Sequence, residues 1–181
     1  QVDVEVITQA GTATSAGAFD YLAGPVVMME VTWTDVLGAA RTGELVLELF
    51  DTAAPLHVEN LLLHTNNGMY DQVPFHRIMN GFMIQGGDPQ TKDESLENLW
   101  GTGDPGYKIK AEFNDRLHVR GVISMARSAD PDSAGSQFFV CLGDADFLNG
   151  QYTAFGQLSG GDDALGDIGD TPVGPSGSGE D

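Results

Sequence analysis

Apolar and polar residues alternate in VDVEVI (Val2 to Ile7) and GELVLELF (Gly43 to Phe50), the period of a strand with one buried face. Further short β-branched or aromatic runs follow the same habit: VVMMEVTW (Val26 to Trp33), FHRIM, FMIQGG, GVISMA (Gly121 to Ala126), QFFVCL (Gln137 to Leu142) and TAFGQL (Thr153 to Leu158). Gly, Asp, Asn and Pro separate them, which favours an all-β barrel or sandwich over βαβ units. One stretch departs from this pattern. APLHVENLLLHTNNG, from Ala54 to Gly68, predicts a helix: Pro55 sits where a first-turn proline is tolerated, Leu56, Leu61 and Leu63 are apolar, and Asn67-Gly68 supplies the stop. GDDALGDIG is a weaker second helix. Between Ala10 and Gly24 the chain turns to Gly, Ala, Ser and Thr, the composition of a linker, and the terminal GPSGSGED has the same flexible character.

Composition narrows the function classes. At 181 residues with 41% hydrophobic content the chain suits one domain with a real core. Its 27 acidic and 8 basic residues give a formal net charge of -19, which repels nucleic-acid phosphates and anionic lipid headgroups. Nucleic acid and membranes are therefore not expected as partners. No apolar run approaches the length of a membrane span and no leader is readable, so the expected setting is the cytoplasm, as a monomer. The lone Cys141 sits in FFVCL and reads as a small buried hydrophobe.

The common chemical motifs find no support. His57, His64, His76 and His118 form no H-E-x-x-H and no Cys/His cluster, so no metal is expected, although His57 and His64 are spaced to share a helix face. Gly86-Gly87 and Gly101-x-Gly103 make neither a dinucleotide fingerprint nor a P-loop, and no cofactor is expected. Ser124 and Ser136 lack a nucleophile elbow. DADFLNGQY lacks the glycine and the glutamate that a calcium loop needs.

Four motifs remain: VPFHRIMNGFMIQGGDP, GDPGYKIKAEF, GVISMARSADPDSAGSQFFV and FLNGQYTAFG. In order and near-identical spacing they resemble the cyclophilin family of peptidyl-prolyl cis-trans isomerases, from about Val26 to Gly174. The resemblance implies a mainly β fold, a closed eight-stranded antiparallel barrel with about two helices capping its ends. It implies catalytic roles for Arg77 and Gln85, and substrate contacts from His76, Phe82, Met83, Ala126, Gln137, Phe139 and Leu148, with Arg127 and Ser128 lining the substrate through their main chain. Three positions depart from the family pattern. Phe147 stands where many members have tryptophan, Tyr152 where many have histidine, and Arg127 where asparagine is usual. The first implies weak cyclosporin binding, because no indole N–H is available. An insertion, Gln90 to Trp100, precedes the family's GTGxPGY pattern and reads as a surface loop.

The implied partners are proline-containing peptides or unfolded proteins. The same groove could alternatively hold proline loops as a chaperone or scaffold, but holding alone does not call for a cation. The domain expectation is a single unit over 1–181: strand at 1–9, linker at 10–25, cyclophilin-like core at 26–174, tail at 175–181. Family members resemble one another in ending on a strand beside the first barrel strand, and here VDVEVI stands ahead of Val26 instead. This suggests a circular permutation in which Val2 to Thr8 takes the closing slot; the alternative is a truncated C-terminus with an unrelated N-terminal extension.

Overall fold

The computed structural model describes residues 4–5 and 24–172. A single antiparallel sheet curls around the core. Its segments are β1 (Val4–Glu5), β2 (Val26–Thr34), β3 (Ala40–Leu49), β4 (Arg77–Met79), β5 (Met83–Gly86), β6 (Val122–Met125), β7 (Phe138–Cys141) and β8 (Ala154–Gly160). Their order across the sheet is β1-β2-β3-β8-β6-β7-β5-β4. Seven are full strands and β1 is a dipeptide pairing Val4 with Val31 and Glu5 with Glu30. Among the described residues no ladder joins β4 back to β1, so the sheet is a mainly β, curled half-barrel where a closed barrel was expected. The two end segments are also its shortest, two and three residues. The rest of the 1–9 strand, most of the 10–25 linker and the 175–181 tail lie outside the described residues.

Alternation does what its period requires. On β2, Val27, Met29, Val31 and Trp33 are buried, and on β3, Leu45, Leu47 and Leu49 join them. These side chains meet Phe155 of β8 and Leu165 and Ile168 of a helix, α2 (Asp162–Gly169), in the main core. No helix among the described residues is long and apolar enough to cross a membrane.

The other helix, α1 (Pro55–Asn66), has proline in its first turn and ends at Asn67, with Gly68 beyond it at a φ of 71°. Of its marker leucines only Leu61 is buried; Leu56 and Leu63 face solvent. The inward face instead carries His57, Asn60 and His64. Ala54 gives no side-chain cap, and the orphan amides of Leu56 and His57 are taken by Glu112, far along the chain, at 3.1 and 3.0 Å. The same carboxylate accepts from His57 Nδ1 at 2.7 Å. A carboxylate at a helix N-terminus is also favoured by the helix dipole, so Glu112 pins α1 to the loop before β6.

Candidate active site

Registers place the candidate residues in a row. Arg77 on β4 pairs with Gln85 on β5, Gln85 with Phe139 on β7, and Phe139 with Ser124 on β6. One step along, Met79, Met83 and Cys141 form a second row. Because strand side chains alternate, Ile78, Ile84, Phe138, Val140 and Ile123 go to the main core while these rows go to the opposite face. There Met83, Phe139, Cys141, Ala145 and Leu148 build a second apolar cluster. Three of them, Met83, Phe139 and Leu148, form the floor of a groove of about 340 Å³.

A chain of amides fixes the polarity of the Arg77 side of this groove. The Gly103 carbonyl can only accept, so Gln137 must point its NH₂ at it, 2.8 Å away. Gln137 Oε1 then accepts from Gln85 Nε2 at 3.0 Å, which turns Gln85 Oε1 toward Arg77 Nη1 at 3.4 Å. This is the one described hydrogen bond of the guanidinium, a group with five N–H donors. Arg77 Nε is buried without a partner.

Asp88 anchors the far end of that chain, a role the sequence did not reveal. Its carboxylate is fully buried and accepts from the amides of Gln90, Gly101 and Gly103 at 2.8, 2.6 and 3.1 Å. A side chain on Gly103 would collide with that carboxylate, and one on Gly87 would strike the Ser136 carbonyl at a φ of 84° that also favours glycine. The inserted segment between these points is not irregular. It folds into two 3-10 turns, Pro89–Lys92 and Glu94–Leu99, started by the side chains of Asp88 and Asp93.

The remaining lips of the groove come from Phe82, Ala126, Arg127, Phe147 and Tyr152. Phe147 is 65% exposed and leans on Phe82 with ring centroids 5.4 Å apart. Tyr152 meets Phe139 edge-on at 5.9 Å, and the Arg127 guanidinium lies 4.5 Å from the Tyr152 ring centre. Ten of the thirteen candidate residues therefore line one groove. His76, Ser128 and Gln137 stand outside its lining. His76 has both ring nitrogens buried and unpartnered, and burial holds its pKa below the ordinary value, with the charge of Asp88 opposing. Ser128 spends its hydroxyl on Ser133 at 2.8 Å.

Behind Phe139 lies a second polar set. His118 stacks on Phe139 at 6.1 Å; its Nδ1 meets Asn149 Oδ1 at 3.1 Å and its Nε2 meets Ser124 Oγ at 2.9 Å. Asn149 Oδ1 can only accept, so Nδ1 carries the proton and the serine hydroxyl donates to Nε2. The order Ser, His, Asn mimics a hydrolase relay, yet Ser124 and His118 are fully buried and no substrate reaches them. Ser136 donates to the Gly87 carbonyl at 2.7 Å. Burial pushes the Cys141 thiol up to about 12, out of thiolate range. His57 and His64 do share the buried face of α1, but their partners are Glu112 and the Tyr107 hydroxyl. Among the described residues no group of three metal-ligating side chains is present.

Residues 34–179 match the family described as cyclophilin type peptidyl-prolyl cis-trans isomerase/CLD. The chain is 42% identical over 129 residues to a probable peptidyl-prolyl cis-trans isomerase of Brucella suis, across 69% of this chain and 66% of that protein, just under two thirds of its length. It is 41% identical over 124 residues to a peptidyl-prolyl cis-trans isomerase of Synechococcus elongatus, across 68% and 79%. A crystal structure of a cyclophilin type peptidyl-prolyl cis-trans isomerase from Cryptosporidium parvum, obtained in the presence of the dipeptide Ala-Pro, superposes with a TM-score of 0.66 at 31% identity. That match spans 81% of this chain and 89% of the other.

Proposed function

Because the chain belongs to the cyclophilin-type peptidyl-prolyl cis-trans isomerase family, we propose that it catalyses rotation about X-Pro bonds in unfolded or exposed segments, with Arg77 as the catalytic donor. Amide resonance sets a barrier on the order of 20 kcal/mol to that rotation, and no bond has to break. At the twisted midpoint the lone pair localises on the prolyl nitrogen. A donor aimed there interacts with the twisted state and hardly with either planar one, which is the condition for lowering a barrier. Arg77 suits the task because it stays charged and rigidly forked. Preorganised stabilisation of this kind is worth a few kcal/mol, about a hundredfold in rate.

The observation that carries this reading is the amide chain from Gly103 to Arg77: it holds one edge of the guanidinium and leaves its other donors unspent beside an apolar floor. Met83, Phe139 and Leu148 would hold the proline ring while the preceding residue turns. Gln85 orients the arginine, and the main chain from Ala126 to Ser128 would carry the substrate backbone. Holding alone would not need unspent donors, which favours catalysis over a passive binding module. The experiment is an exchange assay on a short proline peptide with the purified protein. Clear acceleration over the uncatalysed rate is expected; a folded protein that gives none overturns the reading.

The pairing of Val4 and Glu5 with β2 supports a further proposal, that residues 1–9 occupy the slot of an eighth, closing strand and cover an otherwise unpaired edge. Removing residues 1–24 should then destabilise the domain severely. A truncated protein of full stability and activity overturns it.

A further inference from the structure

Eight lysines and arginines stand against 27 carboxylates, and two of the eight, Arg77 and Arg127, line the groove. Of the other six, three pair with carboxylates: Arg41 with Asp35, Lys108 with Asp104 and Arg120 with Asp162, at 2.7, 2.7 and 2.8 Å. Neither groove arginine has a carboxylate within that reach among the described residues.

Arg127 is held differently from Arg77. Its Nε and Nη2 donate to the Gln151 carbonyl at 3.1 and 2.8 Å, and its Nη1 donates to the Ser128 carbonyl at 2.8 Å and to Ala129 at 3.4 Å. The ring of Tyr152 lies 4.5 Å beneath. Carbonyls and a ring face orient a guanidinium but do not neutralise it. The result is a fixed, uncompensated cation with a donor to spare at the lip of a peptide groove. A carboxylate is the ligand that the charge and the remaining donor prefer, as a single charge-assisted hydrogen bond.

Resting on the isomerase reading above, we propose that the Arg127 side chain is a carboxylate subsite, selecting proline segments that carry an acidic residue close to the proline. Arg127 follows β6 and Arg77 opens β4: three ladders put about 14 Å of sheet between their strands, and Arg127 stands three residues beyond Ser124, which shares a row with Arg77. The backbone path is therefore about 17 Å of flat sheet, the reach of about five extended residues, which the two long side chains shorten by converging on one groove. A peptide with its proline at Arg77 thus brings a side chain within three or so residues to Arg127.

The test uses proline peptides with uncharged caps, bearing Glu, Gln or Lys at single positions up to three residues either side of the proline. Both kcat/KM and Kd are measured, at low and high salt, for the wild type, Arg127→Gln and Arg127→Lys. At one position at least, Glu should be preferred over Lys by about fivefold or more at low salt, less at high salt. The preference should collapse toward unity in Arg127→Gln and survive in Arg127→Lys. A Glu to Lys ratio within about twofold at every position overturns the subsite, as does a ratio unchanged in Arg127→Gln. Arg127→Gln lowering all peptides equally would make Arg127 only a brace for the Gln151 turn, and overturns it too. If no peptide is turned over, the isomerase reading fails instead, while the Kd ratios still decide the subsite.

Discussion

On either side of Phe139 lies a hydrogen-bond network, and the two differ in what they leave over. Behind it, Ser124, His118, Asn149 and Asp146 form a closed set in which each bonded group meets its complement: Oγ to Nε2 at 2.9 Å, Nδ1 to Oδ1 at 3.1 Å, and the Asn149 amide to Asp146 at 3.2 Å. Beside it, the chain from Gly103 through Gln137 and Gln85 runs outward and stops at an arginine with donors unspent. Each set mixes strand residues, Ser124 in one and Gln85 and Arg77 in the other, with residues from loops and turns. The closed one can only hold Phe139 in place. The open one can act on something that arrives.

Breaking the closed set should cost stability most. His118→Ala removes a fully buried ring, leaves Ser124 and Asn149 without partners and opens a void behind Phe139, so a loss of about 3 kcal/mol is expected in denaturant titration. Acid should do the same without mutation. Burial holds the pKa values of His57, His64, His76 and His118 below the ordinary 6.5. The unfolded chain therefore binds protons that the folded one refuses, and stability present above about pH 6.5 is lost as pH falls below it. A His118→Ala protein as stable as its parent would dissolve the comparison.

Breaking the open set should cost activity instead. Arg77→Ala is expected to lower kcat/KM for a proline peptide at least about tenfold, 1.4 kcal/mol or more, with the unfolding midpoint little changed. Full activity in the folded variant would remove Arg77 from the mechanism.

The two networks were unequally legible in the sequence. Strand alternation showed the runs that became β2 to β8, and proline with Asn-Gly bounded α1, because these signals are local. Gln85 and Arg77 could be named from one contiguous motif. His118, Ser124 and Asn149 could not be joined, since 31 residues separate His118 from Asn149 and only the fold brings them together. Asp88 was hidden for a different reason: its partners are backbone amides, which every residue possesses and no pattern marks. The face of α1 misled because Leu56 and Leu63 point outward while a distant glutamate satisfies the buried His57.

A smaller effect sharpens what the open side lacks. Phe147 offers a hydrophobic lip with no donor, and it is exposed enough to accept a larger ring. Phe147→Trp would add one N–H at the rim, and cyclosporin affinity should rise by about fivefold, the worth of one net hydrogen bond. Calorimetric titration of both proteins measures this. Unchanged affinity would mean that the missing indole does not limit binding.

The smallest effect expected is none. Rotation about an X-Pro bond transfers no proton, so the reaction itself calls for neither an acid nor a base. His76 is the imidazole beside Arg77 in sequence, and burial keeps that ring neutral near pH 7. Turnover by folded protein should accordingly stay within about twofold between about pH 6.5 and 8, even though stability begins to decline at the lower limit of that range. The two networks would then separate along a single axis: acid reaches the closed one through His118 and leaves the open one untouched. A bell-shaped or sigmoidal kcat/KM profile with a limb near neutrality, measured where the protein is fully folded, would give an imidazole a proton to move and displace the electrostatic role assigned to Arg77.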